Sequence, residues 1–215
     1  MKKLVLGAVA AIAASVISLP AHAVIVLDFA AEAAGNERGI TNGSTITNFQ
    51  GTGVDVTFTA GANPEYSPYF DDINGLGDPA GLGVCKNLDD NAQCNPGGDD
   101  NVSVDETITV GFSDNFSLGG ISFRDATHMV LGVPGNDGNV LVDVGAGFIQ
   151  YTFSQVILLA GGGAFNDLSE ITFAFLDTQF YIESLSDVPI PGAIPLLLSG
   201  LAGLGFASRS KQAAA

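Results

Sequence analysis

Val54-Asp55-Val56-Thr57-Phe58-Thr59 alternates apolar and polar side chains, residue by residue. Successive side chains on an extended strand point to opposite faces, so Val54, Val56 and Phe58 share one face and the polar residues the other. An α-helix would scatter the same residues around its circumference. The segment is therefore read as a strand with one buried and one wetted face, the pattern typical of antiparallel sheets.

The same short, β-branched pattern recurs along the chain, bounded by Gly, Asn, Asp and Pro clusters. Strands are expected over residues 24–29, 107–112, 120–124, 139–144, 148–153, 155–159, 170–176 and 180–185. Residues 113–118 are read as a hairpin connection between the second and third of these. Only residues 30–34 suggest a helix, and that run is too short to stand alone. Turn signals this frequent imply an all-β domain, an antiparallel β-sandwich of jelly-roll type, in place of alternating β-α units.

Both ends of the chain differ from this domain. Lys2 and Lys3 precede an apolar run over residues 4–19, then Pro20-Ala21-His22-Ala23. A basic start, a short apolar stretch and an Ala-x-Ala exit form a signal peptide over residues 1–23, with Val24 as the new amino terminus. At the other end Val188-Pro189-Ile190-Pro191-Gly192 leads into the apolar residues 193–207, and Arg209 and Lys211 follow within a tail over 208–215. Counted from 188 to 208, the segment reaches the ~20 residues that a hydrocarbon core requires. The cations behind it place the domain outside and the tail in the cytoplasm. On residues alone this reads equally as a plain tail anchor.

The domain over residues 24–187 has the length of one unit with its own core. The whole chain carries 7 basic and 23 acidic residues, a formal charge of −16. Four of the cations (Lys2, Lys3, Arg209, Lys211) lie in the terminal segments and every acid lies between them, so the domain alone stands at −20. That polarity excludes nucleic acid and anionic lipid as partners, since both require a cationic face. It keeps an exported protein soluble and leaves cation binding open.

Cys85 and Cys94 are the two cysteines, and in an exported chain so close a pair is read as a disulfide. Zinc would need two further ligands, and beyond the leader there is one histidine, His128. Around the cysteines, Asp89, Asp90, Asp99, Asp100 and Asn101 supply hard oxygens suited to calcium, although no EF-hand spacing is present. The alternative is a solvated acidic loop. Tyr66, Tyr69 and Phe70, in the stretch NPEYSPYFDD, with Asp71 and Asp72 beside them, form a candidate glycan platform, or else a loop anchored by its aromatics. A catalytic triad would have to be built on His128, and no Gly-x-Ser-x-Gly elbow accompanies it. Carboxylate pairs abound, so a pair alone does not mark a glycosidase. The domain is read as non-enzymatic, with a secreted hydrolase as the outlying alternative.

The tail residues carry a resemblance. Val188-Pro189-x-Pro191, a short Leu/Gly-rich span and a basic end resemble the PEP-CTERM sorting signal of Gram-negative bacteria. Ile190 stands where that motif carries Glu, and the basic cluster is thin. The resemblance implies processing by an exosortase, a membrane-embedded cysteine protease, after transient residence in the inner membrane. It further implies delivery to the cell envelope or extracellular matrix, in bacteria many of which make exopolysaccharide. Gly81-Leu82-Gly83-Val84-Cys85, then Asp99-Asp100-Asn101-Val102, then Glu106-Thr107-Ile108-Thr109-Val110-Gly111-Phe112 is similar to a pattern in uncharacterised ectodomains with that signal. The expected role is structural or adhesive, with a calcium-dependent carbohydrate-binding module as the alternative.

Overall fold

The computed structural model describes residues 24–61, 63–72 and 80–187. The expected signal peptide, the expected sorting motif Val188-Pro189-Ile190-Pro191-Gly192, the apolar span and the cations Arg209 and Lys211 lie outside the described residues. Residues 24–187 belong to one compact unit. Among the described residues no helix is long and apolar enough to cross a membrane.

The unit is all-β with two short α-helices and one 3₁₀ turn at Phe49–Gly51 among the described residues. In chain order it contains β1 (Val26–Asp28), α1 (Phe29–Ala33), β2 (Arg38–Gly39), β3 (Ser44–Ile46), β4 (Val56–Ala60), β5 (Ser67–Asp71) and β6 (Gly81–Cys85). The very long β7 (Thr107–Asp125) follows, then β8 (Asn139–Asp143), β9 (Ile149–Thr152), α2 (Phe153–Gly161), β10 (Phe165–Phe175) and β11 (Phe180–Asp187). Every pairing is antiparallel, and the strands form one connected ladder in the order β2-β5-β6-β11-β7-β10-β8-β9, with β1 on β11 and the β3-β4 pair on β7.

β7 organises this ladder. Residues 113–118 do not turn back as the sequence reading expected; the strand runs on for 19 residues and changes partners. Its first part pairs with β4 and β10, as in Phe58↔Val110 and Phe173↔Ile108, and its last part with β11, as in Ile182↔Phe123. The polar residues between, Ser113 to Asn115, are polar because both faces are open there, not because the chain reverses.

The expected strand over 155–159 is also corrected: it lies within α2. Thr152 caps this helix by accepting from the Gln155 backbone N–H, while the Gln155 side chain accepts from the Thr152 N–H. Such a reciprocal capping box satisfies two N–H groups that the first helical turn leaves unpaired. Phe153, Val156 and Ala160 form the buried face.

The alternation at 54–59 settles as expected: Val56, Phe58 and Ala60 are buried and Thr57 and Thr59 are not. The core is rich in phenylalanine. Phe123 meets Phe153, Phe173 and Phe180 edge-on with centroids at 4.9, 5.6 and 5.9 Å, and Phe58 meets Phe29 and Phe70 likewise at 5.7 and 5.3 Å. Edge-to-face pairs of this kind contribute about 0.5–1.5 kcal/mol each beyond their buried area.

Candidate functional site

A second, smaller and polar interior lies on the other face of β5 and β6. Both strands are buried at every position, so they show no alternation. Phe70 and Val84 enter the main core, whereas Tyr69 and Cys85 pack with Cys94 and Leu88. Cys85 and Cys94 form a disulfide with S–S 2.05 Å, which ties the 86–94 loop to the end of β6. The loop is further fixed by the Gly39 N–H donating to the Ala92 carbonyl at 2.8 Å and the Gln93 amide donating to the Glu37 carbonyl at 2.8 Å.

Glycines allow this close layering. A Cβ on Gly83 would lie 2.0 Å from the Asp100 carbonyl oxygen, and one on Gly81, whose φ is +119°, 2.3 Å from the Ile182 carbonyl oxygen. The Gly-Leu-Gly run and the Asp-Asp-Asn run therefore pack directly on each other at Gly83. Val102 then bridges to Phe180 through both backbone bonds, at 2.8 and 3.2 Å. Glu106, wholly buried, accepts from the Ser103 N–H at 2.5 Å and pairs with Lys86 at 3.1 Å; Lys86 also reaches Asp99 at 3.2 Å. Burial opposes the Lys86 charge, but Glu106 and Asp99 outweigh it and hold its pKa above the ordinary value. Burial raises the Glu106 carboxyl, with the Ser103 N–H and Lys86 working against that rise.

Beneath this layer Asp71, Asp100, Tyr181 and His128 meet. The buried Tyr181 hydroxyl donates to Asp100 Oδ1 at 2.6 Å, and it also interacts with Asp71. His128 Nε2 lies 3.3 Å from Asp71 Oδ2, and its ring stands edge-on to Tyr181 at 5.4 Å. His128 occupies a tight turn at φ 66°, held by the Arg124 guanidinium on its carbonyl at 3.0 Å and by Asp125, which accepts from the backbone of Thr127 and Met129. Tyr69 donates to Glu37 at 2.6 Å nearby.

Two carboxyl groups in one dry site cannot both ionise freely. Burial first, then the charges of Asp100 and Glu37, push Asp71 up to about 8, against a partial opposing effect of the Tyr181 hydroxyl. Burial likewise raises Asp100, opposed first by Tyr181. Burial and the Asp100 charge hold the Tyr181 phenol well above its ordinary value, so it stays a donor. At neutral pH Asp71 therefore keeps its proton, and Tyr181 donates into the pair. Of this set only His128 reaches the surface appreciably, its side chain 22% exposed.

These placements revise the expected sites. The five calcium candidates point in different directions. Asp89 accepts from the backbone of Asn91 and Gln93 in its own turn, Asp90 is exposed, Asp99 pairs with Lys86, and Asp100 faces Tyr181. Asn101 is buried. Among the described residues no group of three or more His, Cys, Asp or Glu side chains converges as a metal site. Asp99 and Asp100, though adjacent, serve different partners, Lys86 and Tyr181. The glycan platform is corrected too. Tyr69 and Phe70 lie in β5 with no exposed surface, Asp71 belongs to the interior pair, Tyr66 is half-buried, and Asp72 accepts from the Gly35 N–H at 2.5 Å. Tyr181 and Glu37 were missed because only the fold brings them to Asp71.

Compared with known proteins, the chain matches no family model, no curated protein and no solved structure.

Proposed function

We propose that this chain is the precursor of an exported surface or extracellular-matrix protein, non-enzymatic, in which the acidic β-unit is the working part. Its address is read from a PEP-CTERM-like sorting signal. The observation that carries the reading is the order of the tail: Val188-Pro189-x-Pro191-Gly192, a short Leu/Gly span, then Arg209 and Lys211. An exosortase-type protease is the processing partner and the inner membrane a transient station.

The disulfide supports an oxidising destination, where such bonds persist. The polar second interior supports a structural role, since the buried acids join strands and loops and expose little surface to a substrate. We read the connected sheet as a jelly-roll-like sandwich folded at β7. The unit acts as a structural or adhesive element beside exopolysaccharide. Mass spectrometry of the protein from an exosortase-bearing Gram-negative host tests the reading. Expected is a chain starting at Val24 and trimmed near the sorting motif; recovery of the chain with residues 188–215 intact overturns it.

A further inference from the structure

The wetted face of β3, β4, β7 and β10 is a sheet of hydroxyls with a gap in its floor. Strand register places Thr45, Thr57, Gly111 and Glu170 side by side in one row across the four strands. Thr59, Thr109 and Thr172 form the next row. Their inward neighbours Val56, Phe58, Ile108, Val110, Ile171 and Phe173 are buried, so alternation turns this set outward. With strands spaced about 4.8 Å apart, a four-strand row runs about 14 Å, the length of a few linked sugar rings.

The surface is already ordered. Thr45 and Thr57 share a hydroxyl hydrogen bond at 2.7 Å, and Thr109 and Thr172 one at 2.8 Å. Threonine is stiff about χ1, and each paired hydroxyl keeps further donor or acceptor capacity for a ligand. A groove of about 350 Å³ opens here, with Asp55, Ser113 and Glu170 among its lining.

Gly111 leaves this groove open without being required by the backbone. A Cβ there would meet Thr57 Cβ at 3.6 Å and the Ser169 carbonyl oxygen at 3.9 Å, both ordinary contacts, and its φ is not positive. Gly81 and Gly83 are demanded by close backbone approach; Gly111 is not. The space that its missing side chain leaves is space for something else.

We infer that this groove binds a neutral, polyhydroxylated sugar chain. Hydroxyl and carboxylate lining matches sugar hydroxyls, whereas the Phe112 ring belongs to the strand's other face, where it stacks on Phe116 at 4.5 Å. Among the described residues no cation lines the groove, and a domain at −20 repels a polyanion. An apolar ligand would leave the threonine and carboxylate groups desolvated without partners. The inference rests on the surface-protein reading only for the source of the sugar, as matrix polysaccharide beside the cell.

The test is native electrophoresis of the full chain as secreted, through gels holding dextran, hydroxyethylcellulose or galactomannan, with alginate as the polyanionic control. Expected is retardation in at least one neutral gel and none in alginate. Gly111→Val fills the floor with a residue that strands favour, so it should keep the melting temperature yet weaken the apparent affinity by about tenfold or more. Glu170→Gln, on the exposed rim, should weaken it less. Free mobility in all three neutral gels overturns the inference, as does retardation of Gly111→Val equal to that of the parent. Either failure leaves the tail-processing result untouched, so the two readings fall separately.

Discussion

Replacing Asp71 by asparagine tests the buried acid pair directly. In the folded chain Asp71 holds its proton up to about 8, whereas in the unfolded chain the same carboxyl releases it near 3.8. A raised acid contributes its full stabilisation below the unfolded value and loses it as pH rises toward the folded one, because the folded state then binds more protons than the unfolded. Each pH unit in that window costs about 1.4 kcal/mol, so from pH 4 to pH 7 the parent loses about 4 kcal/mol through this group. The asparagine side chain does not titrate, and its amide N–H can donate to the Tyr181 oxygen in place of the carboxyl proton, while the Tyr181 hydroxyl keeps donating to Asp100. At pH 4 Asp71→Asn should be slightly the less stable, by about 1 kcal/mol for an imperfectly replaced hydrogen bond. At pH 7 it should be the more stable, by about 3 kcal/mol, so the two pH profiles cross. Urea unfolding of the disulfide-intact protein at half-unit steps from pH 4 to pH 9 measures both curves. Asp100→Asn adds a second check: with one charge gone, less opposes Asp71 giving up its proton. The loss of stability should then be smaller than in the parent and end at lower pH. Parallel profiles for parent and Asp71→Asn would refute the protonated pair and mean that Asp71 is ionised at neutrality.

Other perturbations have equally definite outcomes. Cys94→Ser opens the short loop and should cost about 2–3 kcal/mol, read as a melting temperature that no longer responds to reductant. Gly83→Ala forces a Cβ against the Asp100 carbonyl and should cost about 3 kcal/mol or more, while Gly98→Ala, which meets nothing within 4 Å, should stay within about 0.5 kcal/mol on the same denaturant scale. Phe123→Ala removes the ring at the centre of three edge contacts and should cost about 3–5 kcal/mol in urea unfolding.

The contrast between Gly83 and Gly111 bears on what a sequence discloses. The strand at 54–59 was legible because one face is wet, and a half-buried strand writes its burial as alternation. β5 and β6 were not, because the polar interior buries their second face and erases the period; Pro64 and Pro68 then made β5 look like a loop. α2 carries a local signal, Thr152 three residues before Gln155, the spacing of a capping box, which outweighs the β-like run behind it. β7 lacks the Asn-Gly or Asp-Gly pair of a tight hairpin, which argues for continuation. The Asp71, Asp100, Tyr181 and His128 set had no local signature at all, since its members lie on separate segments and meet only in the folded chain. The glycines follow the same division. Both Gly83 and Gly111 sit within short apolar runs, Gly81–Cys85 and residues 107–112, and sequence alone treats them alike. Only the space around each separates a glycine that the backbone demands from one that leaves room for a ligand. The stretch over residues 81–112 thus superposes two things, a folding requirement at Gly81, Gly83 and Glu106 and an open surface at Gly111, and substitutions at the second should alter binding without altering the fold.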